Sequence, residues 1–186
     1  MRKRDVWICV LSVFVFVAGC QKSSTVRESA GGPFVGLQNA TVVLKQDIVI
    51  PPRQSRVFLQ DGGVAAGGAI LSGGFDSYRP HCAFEIASVD HSGFPVNATT
   101  FSVTRVQRTT TQVVRNSRIL VASAGSMSGG GSASYYDGYH FWLESDVEPE
   151  VRRMSCYGVF AQPFELFPPT IEEINAAIRG VAELRY

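Results

Sequence analysis

From Thr41 onward, apolar and polar residues alternate with a period of two through most of the chain. In "TVVLKQDIVI" (41–50), Val42, Leu44, Ile48 and Ile50 fall on one face, and Thr41, Lys45 and Asp47 on the other. That is the pattern of a half-buried strand. Pro51-Pro52 ends the run, because neither residue can donate a ladder hydrogen bond. "SRVFLQ" (55–60) resumes it with Val57 and Leu59 on one side. Pro80 opens "HCAFEIAS" (81–88), in which Cys82, Phe84 and Ile86 share a face. "TFSVTRVQ" (100–107) turns Phe101 and Val103 inward, and "QVVRNSRILVAS" (112–123) reads as one bent strand or two short ones. "GYHFWLES" (138–145) sets Tyr139, Phe141 and Leu143 against His140, Trp142 and Glu144. "VRRMSCYGVFA" (151–161) places Met154, Cys156 and Phe160 together.

The period changes once. "TIEEINAAIRG" (170–180) follows Pro168-Pro169 and carries Glu173 three positions after Thr170. This spacing predicts a capping box, in which threonine and glutamate side chains each satisfy a free backbone N–H at the helix start. Ile171, Ile174 and Ile178 form an apolar stripe at helical spacing, and Gly180 reads as the left-handed cap that ends the helix. "VAELRY" then predicts a last strand with Ala182, Leu184 and Tyr186 on one side. Two glycine-rich stretches, 61–75 and 123–134, read as long loops. Seven or eight strands, one short C-terminal helix and no βαβ rhythm predict a mainly β fold. The expected form is an antiparallel sandwich or barrel over residues 39–186.

The first twenty residues follow other rules. Arg2, Lys3 and Arg4 precede an apolar stretch, Val6 to Val17, broken only by Ser12. About 12 helical residues reach only ~18 Å, short of a ~30 Å hydrocarbon core. A basic start, a short apolar middle and small residues before a cut make residues 1–19 a secretory signal peptide, with an uncleaved anchor as the alternative. The Val17-Ala18-Gly19-Cys20 tetrapeptide resembles the lipobox of bacterial lipoproteins. That resemblance implies a diacylglyceryl group on the Cys20 thiol, cleavage on its amino side and lasting attachment through several acyl chains. In such proteins an aspartate after the cysteine favours retention at the inner membrane. This chain has Gln21 there, which implies the outer membrane, facing the periplasm.

The cysteine count agrees with this reading. Cys9 leaves with the signal and lipidation consumes Cys20, so Cys82 and Cys156 remain as an even pair for an oxidising compartment. Each lies on the apolar face of its own strand, as an inter-strand or inter-sheet disulfide requires. Cleavage without lipidation would instead strand a third cysteine. Residues 21–37, rich in Ser, Gly and charge, read as a flexible tether with a reach of ~20–25 Å, so that 20–38 comprise anchor and tether. The segments "PPRQSRVFLQ", "FDSYRPHCAFEI", "FSVTRV" and "RMSCYGVF" also resemble a group of uncharacterised small proteobacterial lipoproteins, a likeness that implies the β body and no chemistry.

Charge narrows the partners. Residues 1–19 hold three of the 17 Lys/Arg and one of the 16 Asp/Glu, which leaves 14 basic against 15 acidic side chains and a net charge of −1. No basic footprint for nucleic acid is present. Chemistry is sparse as well. The three histidines, His81, His91 and His140, lack metal-pair spacing, and there is no H-E-x-x-H. "GSMSGG" places Met127 where a nucleophile elbow needs serine. The acidic run "ESDVEPE" (144–150) reads as a solvated hairpin turn rather than a calcium loop. Neither a metal nor a cofactor is expected.

Two aromatic–polar clusters remain as candidate binding residues. One is Asp76, Tyr78, Arg79 and His81, with an Asp76–Arg79 bridge holding the loop. The other is Tyr135, Tyr136, Tyr139, His140 and Trp142. Tyr, Trp and Arg are enriched where proteins bind partners. If both loops emerge at one end, these groups line one mouth. The expected role is a lipid-anchored envelope module that binds a protein or a glycan without catalysing a reaction. The alternatives are a carrier with a small apolar or glycan ligand in a barrel cavity, and a hydrolase using His81 or His140 with Asp76 or Asp137.

Overall fold

The computed structural model describes residues 24–65, 76, 78–113 and 134–186. Residues 1–23, which hold the expected signal peptide and Cys20, and most of the two glycine-rich stretches lie outside the described residues, as does the 114–123 portion of "QVVRNSRILVAS". The described residues form twelve strands: β1 (Thr25–Arg27), β2 (Phe34–Gly36), β3 (Thr41–Leu44), β4 (Ile48–Ile50), β5 (Arg56–Gln60), β6 (Gly63–Val64), β7 (His81–Ile86), β8 (Phe94–Val96), β9 (Thr100–Val113), β10 (Ser134–Glu144), β11 (Val151–Tyr157) and β12 (Ala182–Arg185). A helix, α1 (Ile171–Ile178), precedes the last strand. Eight strands form one antiparallel sheet, in the order β12-β3-β9-β10-β11-β7-β5-β6, curled into a half-barrel.

The predicted inner positions are the core. Val42, Leu44, Val57, Leu59, Cys82, Phe84, Phe101, Phe141, Met154, Cys156 and Leu184 line the concave face and are buried. Helix α1 packs into that concavity with Ile171, Ile174, Ala177 and Ile178. Its capping box forms as expected: Thr170 Oγ1 accepts from the Glu173 N–H at 3.2 Å, and the Thr170 N–H donates to Glu173 Oε2 at 2.7 Å.

The helix also joins the two edges of the half-barrel. On one side it runs through Gly180, at φ +84°, into β12. On the other, the Gly62 N–H at the β5–β6 turn donates to the Ala177 carbonyl at 3.1 Å. Gly62 sits at φ +81°, and a Cβ there would lie 2.5 Å from the Arg179 carbonyl oxygen. Only glycine satisfies both conditions.

Cys82 and Cys156 are directly opposed on β7 and β11, with Cα atoms 4.0 Å apart, and are joined by a fully buried disulfide. The bridge therefore links adjacent strands of one sheet.

Several expectations are corrected. The tether reading fails from Ser24 onward: Ser24 is hydrogen-bonded to Leu37 and Val106, β1 and β2 form a hairpin around a Ser29–Gly32 turn, and Val26 is wholly buried. The run 41–50 is two strands. β3 joins the large sheet, whereas β4 pairs with β8, because the chain turns at exposed Lys45, Gln46 and Asp47. Gly63 and Val64 are strand rather than loop. β11 ends at Tyr157, so Phe160 does not continue the face of Met154 and Cys156, and Tyr186 lies exposed beyond β12. The acidic run does make the β10–β11 turn, but Glu148 is buried and accepts from both the backbone and the side-chain nitrogen of Asn97.

Candidate functional site

Strand alternation divides the residues of "YYDGYHFW" between two faces of β10. Tyr135, Asp137 and Tyr139 share the side of the core face, while Tyr136, His140 and Trp142 point to the outer side. His81 on β7 also faces outward, opposite Tyr157. The two sequence clusters therefore meet on the convex side of the sheet. His81 and Tyr136 rings are 5.1 Å apart, Tyr136 and Phe160 5.4 Å, and Phe160 and Tyr78 5.7 Å. His81, Tyr136 and His140 are nevertheless buried. So is Tyr139, on the core side, whose hydroxyl accepts from the Arg27 N–H. Burial lowers the His81 pKa to about 4 despite its hydrogen bond to the Arg79 carbonyl.

The expected Asp76–Arg79 side-chain bridge does not form. Arg79 pairs with Asp61, while Asp76 Oδ1 accepts from the Tyr78 N–H and its backbone is held by the Gln60 amide. Tyr78, Arg79 and Asp76 stay exposed around that loop.

One feature of the outer face escaped the sequence. Arg56, Glu85, Arg153, Trp142 and Arg105 occupy successive register positions across β5, β7, β11, β10 and β9. Directly opposed residues project to the same face, so the five side chains form one row. Arg105 lies 4.6 Å from the centre of the Trp142 ring and Arg153 lies 5.5 Å from it, which flanks the indole with two cations. Arg153 donates Nε and Nη2 to Glu85 Oε2 at 3.0 and 2.8 Å. Three guanidinium groups against one carboxylate make the row electropositive. Glu85 in "CAFEI" stands between inward apolar residues, whereas Arg105 in "TRV" and Arg153 in "VRRM" each adjoin a register shift, so only strand order and register bring them into line.

Behind the row, Ser155 donates to Glu85 Oε1 at 2.6 Å and sits 2.8 Å from His140 Nδ1. An ionised carboxylate only accepts, so the serine proton points to Glu85 and Nδ1–H of His140 must donate to Ser155 Oγ. This is the reverse of a base activating a nucleophile. Ser155 is also wholly buried. Burial would raise the Glu85 pKa, but hydrogen bonds from Ser155 and Arg153 and the charges of Arg56 and Arg153 hold it below its ordinary value. Burial and the Arg153 charge lower that of His140. Asp137, the acid considered with these histidines, lies on the other face and is held by Arg108 Nε and Nη2.

That other face carries an open groove of about 360 Å³ lined by Arg108, Thr110, Tyr135, Asp137, Pro163 and Leu166. The hydrogen bond to Asp137 raises the Arg108 pKa. Among the described residues, no three His, Cys, Asp or Glu side chains converge to hold a metal ion, and no helix is long and apolar enough to cross a membrane. No known protein family matches the chain, and neither does any curated protein or solved structure.

Proposed function

We propose that this chain is a lipid-anchored envelope protein, held by Cys20 at the periplasmic side of the outer membrane. It acts as a binding module rather than an enzyme. Its partner is an acidic segment of another envelope protein, received by the row Arg105–Trp142–Arg153 on the convex face. The row is the observation that carries this reading. It offers an indole and two guanidinium groups, the side chains most often found at binding hot spots. It is also preorganised: Glu85 holds Arg153, Ser155 holds Glu85, and His140 holds Ser155. A ligand therefore meets side chains whose ordering cost is largely met within the fold. The Cys82–Cys156 disulfide supports an oxidising compartment.

The packing of α1 in the concavity weighs against a carrier that holds its ligand inside the barrel. A smaller second reading rests on the groove beside Asp137. Tyr135 there offers a ring and Arg108 the guanidinium N–H groups not given to Asp137, while the Thr110 hydroxyl, which donates to Asp137, is left to accept, a set suited to a glycan.

A photo-crosslinking residue at exposed Gln107, one row from Trp142, tests the proposal in intact cells. The expected result is one envelope protein crosslinked, with the product lost in Arg105→Glu and Trp142→Ala and unchanged in Tyr135→Ala. No product from position 107, with a product from the same probe at exposed Thr110 in the groove that is lost in Tyr135→Ala, would transfer the function to the groove.

A further inference from the structure

We infer that the exposed aromatic cluster around Arg27 is the surface with which this protein meets the lipid bilayer. Arg27 and Phe34 are directly opposed on the β1–β2 hairpin, and the Arg27 guanidinium lies 5.4 Å from the centre of the Phe167 ring. Phe34 is 53% exposed, Phe167 59%, and Phe164, three residues before it, 78%. Single exposed apolar residues are ordinary on protein surfaces, but clustered ones mark contact sites.

These phenylalanines are not on fraying chain. The segment carrying Phe164 and Phe167 is tied to β10 by a reciprocal pair of backbone hydrogen bonds between Tyr135 and Ala161, at 3.0 and 3.2 Å. A 3-10 turn at Pro163–Glu165 then sets Phe164 outward. On the hairpin, Val26 is fully buried, which fixes the opposite face of β1 outward. Arg27 Nε is shielded and has no hydrogen-bond partner among the described residues. The guanidinium lies over the Phe167 ring, and its terminal nitrogens, on a half-buried residue, are the atoms suited to an anionic headgroup.

The inference rests on the Cys20 anchor, which sets the occupant. Ser24 is already fixed to the fold: its carbonyl accepts from the Leu37 N–H at 2.8 Å and its Oγ from the Val106 N–H at 3.2 Å. Only residues 21–23 separate it from Cys20. Four residue steps span at most ~14 Å. Arg27 lies three strand residues from Ser24, at ~10 Å. A headgroup layer is about 5–7 Å deep on each side. A lipid on Cys20 therefore brings this end of the fold to the membrane, where apolar rings enter the headgroup–acyl boundary and arginine meets phosphate.

The test uses the full chain expressed with its own leader, purified from membranes and reconstituted into vesicles of phosphatidylethanolamine and phosphatidylglycerol with brominated acyl chains. An environment-sensitive fluorophore is attached to Phe34→Cys, Phe167→Cys or, as a control, the exposed Val147→Cys in the β10–β11 turn. The native thiols are occupied by the disulfide and the lipid. Brominated lipid should quench the probes at 34 and 167 several-fold more than the probe at 147. Equal quenching at all three sites, in protein that floats with the vesicles, overturns the membrane-facing surface and leaves the anchor standing. Protein that does not float overturns both. Probes at 34 and 167 that are shielded from an aqueous quencher yet untouched by brominated lipid assign the patch to contact with a second copy of the chain and also overturn the inference.

Discussion

Arg153 aims Nε and Nη2 at the same oxygen of Glu85, at 3.0 and 2.8 Å, while the second carboxylate oxygen accepts from Ser155 at 2.6 Å. The pair is partly sheltered: the side chains are 27% and 8% exposed, respectively. Charged hydrogen bonds in such a setting contribute more than a surface ion pair. The same contacts fix Arg153 beside Trp142, so stability and the presentation of the proposed binding row have a common origin.

Glu85→Ala should therefore act on both. It leaves the Arg153 guanidinium and the Ser155 hydroxyl without their acceptor, at a cost of about 2 kcal/mol. Arg105→Ala touches an outer edge of the row and should cost less than about 0.5 kcal/mol. Urea denaturation separates the two variants. Crosslinking from position 107 should fall in both, which marks Arg105 as a binding residue and Glu85 as a positioning one.

Acid should weaken the fold in a defined window. His81 is held neutral by burial, with its pKa lowered to about 4 from the ordinary 6.5. Between those values the unfolded chain binds the proton and the folded chain does not, so stability is full above pH 6.5 and declines as pH falls towards 4. The decline should reach up to about 3 kcal/mol. Glu85, also lowered, adds a further loss below its unfolded value, at more acid pH. His140, also lowered by burial, adds a loss of the same sign below pH 6.5, so His81→Phe should reduce the slope between pH 6.5 and 4 in denaturation curves without abolishing it and leave the lower limb intact.

The disulfide closes 74 residues of chain. On the chain-entropy account its removal by Cys82→Ala with Cys156→Ala should lower stability by ~4 kcal/mol. Wild-type protein under a reducing agent strong enough to open the bond should show the same shift of the urea midpoint.

Gly62→Ala tests the closure of the half-barrel. The new Cβ meets the Arg179 carbonyl oxygen at a backbone angle that side chains resist, and should cost about 1–3 kcal/mol. Hydrogen exchange should show the loss first at the Gly62 and Val181 amides, where the two sheet edges meet α1 and its continuation.

Period-two alternation made most of the fold legible, because inward positions such as Cys82, Phe84 and Met154 repeat every second residue. The capping box at Thr170 was legible for the same local reason. The β1–β2 hairpin was not: its few inward apolar residues, Val26, Val35 and Leu37, are diluted by glycine and charge, and their burial depends on a distant sheet. The site was legible as composition only. Tyr136 and His81, candidates on composition, do meet, and both are buried. Arg105, Arg153 and Glu85 went unnoticed because a row across five strands is set by long-range register, which no local pattern encodes.

The anchor is tested most directly by the mass of the N-terminal peptide of the protein taken from native membranes. A chain that begins at Cys20 and carries a diacylglyceryl group is the result expected. An unmodified Cys20, or a mature chain that begins elsewhere, would contradict both the proposed location and the membrane-facing surface.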